Sequence, residues 1–499
     1  MEVRPCYLPF AMPYSQIIAL MLALLVIAGG NGNIEPAMPP GLMGFLWLLK
    51  TAIWTFFVYW LTKKKTARLH FHILGWIQWA PLMLLATDIY FLDLKTFLTK
   101  LIGASIPGLI EILALGFYIS YLIITWAAYW LGLKRKGLQE SPLSSEISMR
   151  LRFIAPAIVP YLIITLTSGL MVSTKWQWLN NFMESKEGDA LSVAFVLIAA
   201  AVFIPLMIRI IWRCKPMPKG QERDLVEKYL EKTSLKYGEI LLWPLGGARF
   251  CTAAVLGVIP RFRYILLTPC LMEHLMPEEI DAVLSHEVAH VKRGHIIWYI
   301  IFIGLFSLAI YRLSYPVWIW LLSHNSFIKA FISMENTSRS LASAAISLPF
   351  GILLILYFRF LMGYFMRNFE READLSVLDT QGHPWYLINA LEKVSLLSGN
   401  SRAQPNWHHF SIAQRVDFLQ QAARRPGSGR LFSKKLNIKK MIFLLAAAFL
   451  SLSPSLLPVN SWKAAARENI TKIYIERALK HYKYPGRVFE YQFNRHSIP

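Results

Sequence analysis

Long apolar runs divide the sequence, and their lengths restrict the folds that are open to the chain. A helix needs about 20 consecutive apolar residues to cross the hydrocarbon of a bilayer. Runs near this length lie at 15–29, 42–61, 73–92, 106–133, 153–172, 191–211, 296–322, 341–361 and 441–457. Hydrophobic residues make up 55% of the chain and charged residues only 16%, a balance that is rare in soluble globular proteins. We therefore predict a mainly α, polytopic membrane protein with about nine transmembrane helices.

The basic residues predict how these helices are oriented. The net charge is +22, and Lys and Arg concentrate in the cytoplasmic loops of membrane proteins. Basic clusters follow the second, fourth and sixth runs, at 63–65, 134–136 and 213–215, whereas the loop near Glu184 is acidic. Because each crossing changes side, all three clusters fall on one side, which we predict to be the cytoplasmic side of a bacterial inner (plasma) membrane. The basic residues do not alternate with exposed aromatic residues, so we predict a lipid bilayer and no nucleic acid as a partner.

Two polar stretches, at 215–294 and 367–430, predict a domain outside the bilayer. Two crossings separate them, so both are expected on the cytoplasmic side. The first has the short apolar segments and turn residues of a small α+β unit, with strands predicted at 240–242, 253–258 and 264–267. The predicted domains are 1–213, an N-terminal membrane domain with about six helices; 214–430, an α+β domain interrupted by transmembrane helices near 296–322 and 341–361; and 431–499, a C-terminal transmembrane helix with a short external tail.

Residues 284–291 read Leu-Ser-His-Glu-Val-Ala-His-Val and contain the pattern HExxH. This pattern is the first of the features that predict a zinc metallopeptidase domain at 214–430. On a helix, His286 and His290 share one face, where two neutral imidazoles can hold one Zn²⁺. The carboxylate of Glu287 can accept a proton from a water held by that ion. Pro277 and the acidic residues after it are typical of a helix start. The apolar spacing that follows favours a packed helix over a chance match.

A catalytic zinc usually has three protein ligands and one open position. Glu370 and Asp374 lie one helical turn apart, so Glu370 can reach the ion while Asp374 accepts a hydrogen bond from a ligand imidazole. Glu372 is predicted to point roughly the other way. By position alone, a solvated charged helix is an equal alternative. On a continuous helix His295 would face away from His286, so we predict an interfacial polar residue rather than a ligand.

The four cysteines, Cys6, Cys214, Cys251 and Cys270, show no CxxC spacing. We predict that they are free, small apolar residues rather than a metal or disulfide set.

Residues 268–295, from Thr268-Pro269-Cys270 through the HExxH pattern to Gly294-His295, resemble the core of the HtpX-like and CAAX-prenyl-protease-like zinc metallopeptidases. The resemblance extends over about 225–419. It implies one Zn²⁺ per chain, with Glu370 as the third ligand and Asp374 as part of the same Glu-x-x-x-Asp element.

Residues 409–416, His-Phe-Ser-Ile-Ala-Gln-Arg-Val, resemble a later His…Arg element of the same family. This implies that His409 and Arg415 either lie near the substrate carbonyl or support the acidic residues. Phe410 stands where many members have Pro. Many members also have Asn-Ala on the strand that pairs with substrate, and this chain has Thr252-Ala253-Ala254 near that position.

These features predict an integral membrane zinc-dependent endopeptidase that hydrolyses peptide bonds in membrane or membrane-proximal proteins, for quality control or processing. Its predicted partner is a protein or peptide substrate, with Glu287 as the general base. One alternative is a signal-sensing, antirepressor-type membrane metalloprotease, which usually carries a large external sensor. Another is a non-enzymatic membrane protein with a structural zinc, which would need a site closed by four protein ligands.

Overall fold

The computed structural model describes residues 13–29, 38–64, 77–103, 108–137, 141–173, 178, 181–182, 185–244, 251–333, 348–398, 402–403, 409–425 and 427–481. These residues are mostly helical and include one small β-sheet. The chain divides into two compact units, one of residues 1–304 and 340–442 and the other of residues 305–339 and 443–499. The domain boundaries predicted at 213 and 430 stay a prediction.

The first unit begins with helices that, except for the amphipathic α4, are apolar around most of their circumference, as is typical of buried or membrane helices. They are α1 (Pro13–Gly29), α2 (Pro40–Lys64), α3 (Ala80–Tyr90), α4 (Leu94–Ile102), α5 (Leu109–Lys134), α6 (Leu143–Ser173) and α7 (Lys186–Ile211). One hydrophobic core joins α1 and α3–α6. Each of these helices places fully buried side chains in it, including Leu20, Leu85, Leu94, Leu115 and Ile154.

Within the described residues, five helices are long and apolar enough to cross a membrane. They are Pro40–Lys63, Leu109–Lys134, Leu143–Thr167, His295–Leu322 and Leu348–Gln381, and shorter apolar helices lie at Gln16–Gly29, Ala80–Tyr90 and Ala201–Ile211. Large apolar side chains on these helices, such as Phe45, Phe56 and Ile163, are exposed, as expected where lipid replaces water. The predicted polytopic architecture is therefore supported, while the number of nine crossings stays a prediction.

A buried ion pair connects three of the N-terminal helices. Lys50 of α2 contacts Asp88 of α3, which is fully buried and also accepts a hydrogen bond from the Tyr121 hydroxyl of α5. The Lys50 ammonium donates further to the carbonyl oxygen of Leu84 at 3.0 Å and to Oγ1 of Thr87 at 3.1 Å. A buried ion pair needs such additional hydrogen bonds to offset the desolvation of its charges.

We expect Lys50→Met to lower the free energy of unfolding by about 3–5 kcal/mol, because it leaves the buried carboxylate of Asp88 without its cation. The double variant Lys50→Met/Asp88→Leu should recover most of that loss, since both charges are then absent. Thermal unfolding in detergent, followed by circular dichroism, measures both effects. A single variant as stable as the wild type would contradict the expectation.

The small sheet has the strand order β1–β2–β4–β3. Its strands are β1 (Lys215–Pro216), β2 (Glu239–Leu242), β3 (Ala253–Leu256) and β4 (Tyr264–Leu267), with helix α8 (Gln221–Lys232) between β1 and β2. β2 and β4 are parallel, and β3 runs antiparallel to β4 with Ala253 opposite Leu267. All four residues of β4 are buried, which explains their continuous apolar run. The three predicted strands are confirmed, with ends within two residues.

Helices make up the described remainder of the chain. They are α9 (Pro269–His274), α10 (Pro277–Lys292), α11 (His295–Leu322), α12 (Asn325–Ser333), α13 (Leu348–Gln381), α14 (Trp385–Ser398), α15 (Ile412–Ala423), α16 (Ser428–Leu452) and α17 (Val459–His481). In the second unit, the Lys329 ammonium of α12 lies 3.6 Å from the Glu476 carboxylate of α17.

Helix α10 carries the HExxH pattern, and buried contacts fix its first turn. Pro277 is its first residue, where the fixed φ of proline suits a helix start. The fully buried carboxylate of Glu279 accepts from the Met276 backbone N–H at 2.9 Å and from Lys393 Nζ of α14 at 2.7 Å. The helix therefore starts at a defined position against α14.

The cysteine prediction is wrong for two of the four residues. Cys251 and Cys270 form a disulfide that connects the residues before β3 to the first turn of α9. The antiparallel pairing of β3 with β4 brings their Cα atoms to 5.0 Å although 19 positions separate them in sequence. Cys214 is free and buried, and Cys6 lies outside the described residues.

Candidate metal centre

Helix α10 presents two imidazoles to one point. His286 and His290 are four residues apart and face the same side, with their Nε2 atoms 3.2 Å from each other. Two nitrogen acceptors this close repel each other unless a proton or a cation lies between them. The arrangement therefore favours a positive charge, either a proton or a metal ion, between the two rings.

Glu370 of α13 completes a group of three. Its Oε2 lies 3.6 Å from His286 Nε2, and its Oε1 lies 3.5 Å from His290 Nε2. Bonds of about 2.0–2.1 Å in a tetrahedral zinc site place neighbouring ligand atoms roughly 3.3 Å apart. All three separations are close to that value, so the predicted ligand residues fit one metal ion.

Asp374, one turn further along α13, supports the first imidazole. Its Oδ1 lies 3.0 Å from His286 Nδ1, and its side chain is fully buried. Arg415 of α15 donates to both carboxylate oxygens of Asp374, from Nε at 3.0 Å and from Nη2 at 2.6 Å. Of the two locations that the resemblance implies, the structure places Arg415 at the acidic residues.

His409 lies just before α15 and at the edge of the group. Its Nδ1 is 3.0 Å from Glu370 Oε2, and 38% of its side chain is exposed. Ser411 caps the helix that follows, with its hydroxyl accepting from the Gln414 backbone N–H. This cap defines where the chain enters α15 and thereby holds the imidazole beside Glu370.

Glu287 is next to the first ligand and half-buried. Burial raises the pKa of its carboxyl to about 7, and the negative charge of Glu370 acts in the same direction, while positive charge on His286 and Arg415 opposes the shift. A carboxyl group whose pKa lies near neutral pH is suited to both accepting and returning a proton.

Behind the imidazole of His290 lie His295, which was predicted to be an interfacial polar residue, and Glu372, for which the sequence predicted no partner. His295 is fully buried rather than interfacial, with its Nδ1 3.0 Å from His290 Nδ1 and its Nε2 3.0 Å from Glu372 Oε2. The prediction assumed one continuous helix, but α10 ends at Lys292 and Gly294 has a left-handed φ of 68°. A glycine shortly after a periodic segment is a helix-stop signal, and it could have revealed this turn.

The region of the chain that contains these residues is similar to known proteins. Residues 252–434, which include every residue described at the site, match the model of peptidase family M48. The chain is 23% identical over 176 residues to a protease HtpX homolog of Janthinobacterium sp. (strain Marseille), covering 34% of this chain and 56% of that protein. It is 21% identical over 178 residues to the homolog of Herminiimonas arsenicoxydans, covering 36% and 58%. The matched region thus spans little more than half the length of these relatives.

Among solved structures, the crystal structure of S. mikatae Ste24p is similar to 77% of this chain and to 100% of its own, with 16% identity and a TM-score of 0.48. The family model and the two relatives confirm the resemblance seen in the sequence. Residues 252–434 are therefore similar to peptidase family M48, and the chain resembles the HtpX-like and CAAX-protease-like membrane metallopeptidases.

Proposed function

We propose that this chain is an integral membrane zinc-dependent endopeptidase that hydrolyses peptide bonds in membrane or membrane-proximal proteins. The observation that carries the proposal is the meeting of His286, His290 and Glu370 within 3.2–3.6 Å of one another, with Glu287 beside them. Two nitrogens, one carboxylate and an open position form a ligand set of catalytic zinc sites.

One Zn²⁺ per chain, held by His286, His290 and Glu370, would supply a Lewis acid that polarises the scissile carbonyl. Glu287 accepts the proton of the attacking water and returns it to the leaving nitrogen. The partly exposed imidazole of His409 lies at the edge of the site, where it can donate to the oxygen that gains negative charge. Arg415 holds Asp374, which in turn orients the His286 ring.

The substrate class follows from the helices that carry the site. After Gly294, the chain of α10 continues into α11, which is apolar over 28 residues. Glu370 lies on α13, the last of the helices long and apolar enough to cross a membrane. One ligand helix, α10, leads directly into the apolar α11, and the third ligand lies on the apolar α13. We therefore expect the site to lie close to the membrane surface, where membrane and membrane-proximal proteins are the accessible substrates. The basic loops favour the cytoplasmic side, so we propose a cytoplasmic active site at the bacterial inner membrane.

The proposal is tested with the full chain purified in detergent and a casein-type substrate. We expect cleavage that stops when a chelator removes the metal and returns when one equivalent of Zn²⁺ is added. Bound zinc without cleavage of casein or of membrane proteins would favour the non-enzymatic alternative. Cleavage that begins only when a signal molecule is added would favour the antirepressor-type alternative.

A further inference from the structure

The two ligand imidazoles are supported in different ways. His286 Nδ1 faces a carboxylate directly, that of Asp374 at 3.0 Å. His290 Nδ1 instead faces a third imidazole, His295, at 3.0 Å. Metal-bound histidines usually donate their second N–H to a carboxylate, a carbonyl or water, because this fixes the tautomer and the orientation of the ring. The role of His295 therefore depends on what lies behind it.

Behind His295 lies a buried carboxylate. Glu372 Oε2 is 3.0 Å from His295 Nε2, and the two side chains are 2% and 0% exposed. A carboxylate accepts and does not donate, so Nε2 of His295 carries the hydrogen and its Nδ1 carries the lone pair. That lone pair accepts from His290 Nδ1–H, which leaves the lone pair of His290 Nε2 directed at the metal position.

Basic residues and an aromatic ring hold this arrangement in place. Glu372 Oε2 lies 3.8 Å from Lys440 Nζ of α16, and its Oε1 lies 3.9 Å from Arg293 Nη1. The His295 ring stacks on Phe369 with a centroid distance of 4.3 Å and an interplanar angle of 4°. The stacking fixes the plane of the ring, and the ion pairs fix the carboxylate.

We propose that His295 is a positioning residue that connects the metal ligand His290 to the carboxylate of Glu372. The inference rests on the proposed function, since it assigns His290 to the metal. The two imidazoles then have equivalent support, one from Asp374 directly and the other from Glu372 through His295.

The decisive variant is His295→Phe. It keeps a flat ring to stack on Phe369 but removes both the acceptor for His290 and the donor to Glu372. We expect zinc affinity, measured by competition with a chelator, to fall about 10–100-fold, the usual cost of losing an outer-shell partner. The absorption spectrum of the Co²⁺-substituted protein should change as well, because it reports ligand geometry.

Three further variants make the result specific. His295→Gln can still accept and donate, so it should recover part of the affinity. Glu372→Gln removes the charge but leaves the ring of His295 in place, so it should weaken zinc binding even if His295→Phe does not fold. His324→Phe, at an exposed histidine after α11, should bind zinc like the wild type.

Wild-type zinc affinity and an unchanged Co²⁺ spectrum in both His295→Phe and Glu372→Gln would overturn the proposal, even if thermal stability fell. Neither measurement needs peptidase activity. A wild type that binds zinc but cleaves no substrate would therefore contradict the proposed function, while the inference about His295 would still stand.

Discussion

Replacing Glu287 by Gln should abolish peptide hydrolysis while leaving the metal bound. Gln has nearly the same shape as Glu, but its amide cannot accept the proton of the attacking water. General-base catalysis contributes about 10²–10⁴-fold, and we expect a loss of at least that size in kcat. Because Glu287 is not among the three grouped ligands, zinc content should stay at one per chain.

The matched control for this variant is Glu278→Gln, at an exposed residue in the first turn of the same helix. It removes the same charge from α10 but lies more than two turns from Glu287 in sequence, so activity should match the wild type. Zinc content by atomic absorption and initial rates on a fluorescent peptide are the two measurements. A Glu287→Gln variant that keeps more than a tenth of wild-type activity would refute the general-base role.

Replacing Glu370 by Ala should remove the metal and the activity together. The carboxylate supplies the only anionic ligand of the grouped three, and the two imidazoles that remain share a single helix. Outer-shell changes cost about 10–100-fold in metal affinity, so loss of a direct ligand should cost more. We expect purified Glu370→Ala to contain well under half an equivalent of zinc and to show no measurable cleavage.

Asp379→Ala is the control for Glu370→Ala, because Asp379 lies on the same helix with 64% of its side chain exposed. It should retain zinc and activity. The two central variants also separate binding from chemistry, since Glu287→Gln should keep the metal and Glu370→Ala should lose it. Full zinc occupancy in Glu370→Ala would show that the metal is held elsewhere.

The residues that sequence analysis brought together follow from helical spacing. His286 with His290 and Glu370 with Asp374 are pairs four residues apart, and such pairs share a face wherever the helix lies. That α10 and α13 meet required a further step, the resemblance to a family with a distal Glu-x-x-x-Asp element. Their meeting depends on packing between residues as far apart in sequence as His290 and Glu370, 80 positions, which local pattern does not encode.

The residues that were missed depend on breaks and on tertiary pairing. His295 was predicted to face away from His286 on one continuous helix. Instead, the left-handed Gly294 redirects the chain between α10 and α11, and His295 contacts His290. Glu372 was correctly expected to point away from Glu370, and His295 reaches it on that side because the chain turns at Gly294. The Cys251–Cys270 disulfide arises from strand pairing, to which a search for CxxC spacing is insensitive.

The break at Gly294 has a mechanical consequence. His295 is both the first residue of α11 and the hydrogen-bond partner of His290. Helices that span a bilayer adjust to its thickness by tilting, and a tilt of α11 would displace the His295 ring from the ligand it contacts. A thicker or thinner bilayer would thereby change the geometry of this proposed metal ligand, and with it the proposed hydrolysis, without contacting the substrate.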